Sequence, residues 1–72
     1  MKIFSAYIEF DSETNLYIGI IPSIPGAHTT GETLDELQVN LKEVLDLCLE
    51  EYKEDIDALP KFVGLQQIEA AA

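Results

Sequence analysis

The sequence contains no arginine and no tryptophan, one cysteine, Cys48, and one histidine, His28. A single cysteine excludes an internal disulfide, and one Cys with one His cannot close a four-ligand zinc site. Without either staple, a chain of 72 residues draws only about 3 to 5 kcal/mol from its core, and a second subunit is the reinforcement left to it. A homodimer or higher homo-oligomer is therefore expected. Basic charge is scarce as well: four lysines stand against fourteen aspartates and glutamates, a formal net charge of -10. Proteins that hold DNA or RNA neutralise phosphates with Lys and Arg, so no direct nucleic-acid binding is expected. Such a balance either keeps a small protein in solution or attracts a basic partner.

Long apolar runs are missing too, none approaching the roughly 20 residues of a membrane span. The opening MKIFSAYIEF is interrupted by Ser5 and Glu9 and is followed by no small-residue cleavage site, so it is not read as a secretion signal. A soluble, cytoplasmic protein without membrane association is the expectation. No repeat or linker divides the chain, and residues 1–72 read as a single domain.

What is present is ordered by hydrophobic period. Residues 2–10 alternate, with Phe4, Ala6, Ile8 and Phe10 on one side and Ser5, Tyr7 and Glu9 on the other, the pattern of a half-buried strand. DSETN at 11–15 is a turn cluster, and residues 16–21 form the returning strand of a hairpin, in which Gly19 marks a bulge or a close backbone approach. Pro22 ends that strand. In PSIPG, Pro25 presets one φ and Gly26 is able to take a positive one, and residues 27–31 leave room for a third strand.

Thr33 followed by Glu36 is a capping-box spacing that opens a helix. On a helical wheel Leu34, Leu37, Leu41, Val44, Leu45, Cys48 and Tyr52 share one stripe, which must pack on a sheet. Asp35, Glu36, Glu43, Asp46, Glu50 and Glu54 lie opposite. The helix is expected to fade over residues 55–58, before Pro60, and residues 62–69 to form a last strand. The order strand, strand, strand, helix, strand predicts an α+β fold, a small antiparallel-rich sheet with one helix on one face.

No catalytic set emerges from these residues. His28 has only Ser23, Thr29 and Thr30 nearby in sequence, without an orienting partner for a nucleophile–base pair. Cys48 falls inside the apolar stripe, where a thiol behaves as a small hydrophobe. Neither GxxxxGK[ST] nor GxGxxG occurs, so PGAHTTGE is not a phosphate cradle. Glu9, Asp11 and Glu13 would need carboxylates from the helix to build a two-metal nuclease, but the helical acids project away from the sheet. We therefore expect neither enzymatic activity nor a cofactor or metal. The acidic helix face is the remaining candidate. Asp46, Glu50 and Glu54 repeat every fourth residue, a mildly self-repelling arrangement that Lys42 and Lys53 relieve in part, with Leu47 at its margin. Glu43, Asp46, Leu47, Glu50 and Glu54 are the candidate partner-binding residues.

The combination PxxPG followed by TxGxTxxE, here Pro22, Pro25, Gly26, Thr29, Gly31, Thr33 and Glu36, placed after two strands and opening a leucine-rich helix, resembles the HicB family of antitoxins. The resemblance runs from the first strand to the proline after the helix. It implies a partial ribonuclease-H-like fold without nuclease activity. The implied partner is HicA, a small basic toxin with a double-stranded-RNA-binding-like fold that cleaves mRNA through a histidine, whose RNA-binding or catalytic surface the antitoxin would cover. Two departures stand out. Many relatives continue into a C-terminal DNA-binding domain whereas this chain ends at Ala72, so operator binding is expected from another protein if at all, and Ala27 stands where relatives often carry Cys. The expected function is neutralisation of such a toxin; the alternative is a stand-alone oligomeric interaction module.

Overall fold

The computed structural model describes residues 2–71. Three strands, β1 (Tyr7–Asp11), β2 (Leu16–Ile20) and β3 (His28–Gly31), form an antiparallel sheet in the order β1-β2-β3, followed by one helix, α1 (Leu34–Tyr52), and a single 3₁₀ turn at Ile56–Ala58. This is the expected α+β arrangement of one helix on one sheet face.

Local chemistry explains each corner. The Asp11 carboxylate accepts from the Glu13 amide and from the Thr14 hydroxyl, both at 3.0 Å, an Asx-type turn. Asn15 closes the hairpin at φ 58°, a left-handed conformation that Asn tolerates. Gly26 takes φ 80° in the second turn, as its place after Pro25 requires. Within that turn Ile24 N donates to Ile21 O and Ala27 N to Ile24 O, each at 3.1 Å.

Thr33 caps α1 from an extended backbone, its Oγ1 accepting from the Glu36 amide at 3.0 Å. The stripe packs much as its spacing requires. Leu37 and Leu41 are buried with Ile21, Ile24 and Ala27, while Leu45, Cys48, Leu49 and Tyr52 close around them. Leu34 departs from the expectation and is exposed: it lies in the first turn beside Tyr17, over a shallow depression that the sheet does not fill. Gly19 marks a close approach and not a bulge. Its register is unbroken, and a Cβ there would meet the Leu41 side chain at 2.9 Å.

Since Gly19 faces α1, its neighbour across the ladder, Ile8, and the next pair on that side, Phe10 and Tyr17, face the same way. The Phe10 and Tyr17 rings meet edge to face with centroids 5.0 Å apart. The helix lies over β3 and β2, and Asn40 Nδ2 ties it to the Thr30 carbonyl at 2.8 Å. The helix-side surface of β1 is left uncovered, with Ile8 and Phe10 both exposed.

Two expected elements differ. Residues 2–6 are unpaired, and β1 begins only at Tyr7 instead of spanning residues 2–10. Its partner runs out: Ile20 pairs with Tyr7, the Ile21 amide is taken by Ala27 O, and Pro22 has no amide to offer. Residues 62–69 form no strand and follow Pro60 without regular structure, paired with nothing among the described residues. The helix, too, stops at Tyr52, short of residues 55–58. Glu50, Glu51, Glu54 and Asp55 crowd the negative end of its dipole, with no basic residue in the last turn. Glu51→Lys is accordingly expected to stabilise the chain by about 0.5 kcal/mol, read as a rise in melting temperature of about 2–4 °C that shrinks as salt is added.

Candidate partner-binding surface

The side of α1 opposite the core is built from residues whose side chains point straight out. Glu43, Asp46, Leu47 and Glu50 are all exposed, Leu47 at 70%. Burial of Leu37 and Leu41 on the sheet forces this, because positions half a turn away from them have nothing to pack on. Glu54 is exposed but lies past the Lys53 C-cap. It leaves the straight row of Asp46 and Glu50 that uninterrupted helix would have continued.

The charge on this face is partly compensated from within. Lys42 Nζ reaches Asp46 Oδ1 at 2.8 Å and Lys53 Nζ reaches Glu50 Oε1 at 3.0 Å. Both pairs are solvent-exposed, so each contributes at most about 1 kcal/mol and either carboxylate can exchange its lysine for another cation. Glu43 and Glu54 have no cation within ion-pair distance among the described residues. An incoming basic group would meet these two uncompensated and the other two loosely held.

The sequence reading missed one residue here. Val39, four positions before Glu43 and eight before Leu47, lies on the same face and is 58% exposed. The wheel that marks the acids also marks Val39, but reading the face for charge alone passes over it. Val39 and Leu47, two turns apart among carboxylates, give the surface apolar contacts as well as charge.

The other residues weighed for chemistry are dispersed. Ser23 is buried in the second turn, and His28 is exposed on β3 opposite Ile20. Thr29 points to the other side of the sheet from His28 and Thr30 by strand alternation. Asp11 is engaged in its turn. Cys48 is half-buried against the core. Among the described residues, no three His, Cys, Asp or Glu side chains converge as metal ligands, and no helix is long and apolar enough to cross a membrane.

No protein-family model matches the chain, and no solved structure matches it. Curated proteins do. A UPF0150 protein of Thermotoga maritima is 52% identical over 68 residues, covering 94% of this chain and 89% of that protein. A UPF0150 protein of Synechocystis sp. is 40% identical over 65 residues, covering 90% of each. A third, from Archaeoglobus fulgidus, is 41% identical over 66 residues, 92% of this chain and 91% of the relative. The matched span runs through the sheet, its turns and the helix that carries the acidic face, and at such identity over proteins of similar length the chain belongs to the UPF0150 family.

Proposed function

We propose that this protein is a HicB-like antitoxin, with a sheet of partial ribonuclease-H-like type, that neutralises a small basic mRNA-cleaving toxin of the HicA type by covering its RNA-binding or catalytic surface. The observation that carries the reading is the outer face of α1. Glu43, Asp46 and Glu50 surround exposed Leu47 and Val39, on a protein of net charge -10. A toxin that grips RNA presents cations arranged for phosphates. A rigid helix with carboxylates at turn spacing offers those cations an alternative, and its two apolar side chains supply area that desolvates the contact. Opposite charge also speeds the encounter, an advantage in intercepting an enzyme before it reaches its substrate.

The test is made on any short basic protein encoded beside this chain. Asp46→Lys with Glu50→Lys is expected to weaken binding about a hundredfold, about 2.7 kcal/mol, and to flatten its dependence on salt. Both positions are exposed and paired only to lysines, so the fold is expected to persist, checked by an unchanged helical circular dichroism signal. Unchanged affinity in the folded double variant would place the contact elsewhere and refute this surface. Absence of a basic neighbour that binds at all would refute the toxin reading.

A further inference from the structure

Two stretches with strand-like sequence lack partners in the single chain, and each has what the other is missing. Residues 2–6 continue the alternation of β1 beyond the point where β2 turns away, so their backbone edge is open. Residues 62–68, FVGLQQI, carry four apolar side chains, Phe62, Val63, Leu65 and Ile68, and their backbone is unpaired. As far as Leu65 this segment runs beside Pro22 and Ser23, yet its side chains are little covered, with Val63 97% and Ile68 86% exposed. The opposite edge of the sheet is less available, because β3 is four residues long and carries the helix through the Asn40 tether.

The surface area states the same imbalance in numbers. The chain exposes 5997 Å², whereas a compact monomer of 8.0 kDa exposes about 4,450 Å². The excess of about 1,500 Å² per chain exceeds the roughly 800 Å² that each partner buries in a standard stable interface. The radius of gyration agrees, at 13.8 Å against about 11 Å for a compact chain of this length.

We infer that two copies of this chain exchange their C-terminal segments, residues 62–68 of each pairing with the open β1 edge, residues 2–10, of the other. The interface is two-fold and reciprocal, so the exchange is satisfied within the pair and does not itself run on into a chain of copies. Alternation sets Val63 and Leu65 on one side of the incoming strand, where they extend the exposed Ile8 and Phe10 row past the edge of the sheet. Phe62 and Ile68 take the other side. Edge pairing of this kind satisfies backbone groups first and apolar side chains second, as in strand addition generally. The outer face of α1 is not part of this interface, so the inference stands or falls independently of the toxin reading.

The test is mass and hydrogen exchange on the full chain. The native chain is expected to sediment at twice 8.0 kDa, and Val63→Asp with Leu65→Asp to halve that mass while keeping the helical signal. Independently of any variant, amides of residues 2–6 and 62–68 are expected to be protected in concentrated native protein and to lose protection together on dilution to the monomer. A native chain that is monomeric at every concentration overturns the inference, whether or not its tail is protected by its own β1. So does a dimer that persists in the folded double variant. If the variant does not fold, the dilution experiment decides: a dimer that leaves these two segments unprotected is a different dimer.

Discussion

Replacing Gly31 by alanine is expected to destabilise the protein by about 2–3 kcal/mol, the scale of overpacking a rigid site, measured as a drop in the urea midpoint at fixed protein concentration. A Cβ at this position would lie 2.6 Å from the Leu37 backbone nitrogen and 2.9 Å from its Cα. The obstacle is the first turn of α1 itself, which is held by the Thr33 cap and by Leu37 N donating to Thr33 O at 2.9 Å. It cannot retreat without breaking that cap or lifting the buried Leu37 from the core. The entropic gain that Gly→Ala brings by restricting the unfolded chain, at most about 1 kcal/mol, does not offset this. Gly19→Ala is the control for the mechanism. Its Cβ would meet Leu41 side-chain carbons at 2.9 to 3.2 Å, a flexible terminus that can turn aside, so its cost is expected to be the smaller of the two. An equal cost at both sites would mean that backbone proximity is not what distinguishes them.

Gly31 also shows which parts of this fold were legible in the sequence. Features closed within a few residues could be read directly. The Thr33 cap needs only the Glu36 amide, the positive φ of Gly26 follows from its place after Pro25, and the Asp11 turn is contained in DSETN. The buried stripe of Leu37 and Leu41 and the opposing acids follow from helical period alone. Features that depend on a partner elsewhere could not be read. Alternation in residues 2–10 and the apolar character of 62–69 report strand propensity, but a strand exists only where another backbone offers its edge. Within one chain β2 turns away at Pro22, and among the described residues no backbone pairs with the tail. Leu34 was misplaced for a related reason, since period gives the face of a helix but not how closely the sheet packs against its first turn. Of the candidate surface, the carboxylates were legible; Val39 was hidden by attention to charge, and the departure of Glu54 from the row by the early helix end.

The second large effect is expected at Ile24, in a segment that reads as a plain connector. Ile24→Ala is expected to cost about 3 kcal/mol, within the range of about 2–5 kcal/mol for removing a fully buried Ile side chain. Flanking Pro22 and Pro25 with Gly26 mark a turn, and turns belong to the surface, yet Ile24 is 1% exposed and lies in the five-residue buried cluster. The turn is folded so as to drive this side chain inward. Ile24 N and O are both held by Ile21 and Ala27, whose own side chains are buried on either side, so no small shift of backbone can refill the space that Ala would leave. A single core of this size supplies only about 3 to 5 kcal/mol, so the loss consumes most of it. The variant is expected to show a substantial unfolded population at ambient temperature, read as a urea transition without a native baseline. Pro25→Ala, at an exposed position immediately before the positive-φ Gly26, is expected to cost about 1 kcal/mol or less, by freeing the unfolded chain alone. If the two variants melt together, Ile24 contributes as a turn residue and not as part of the core.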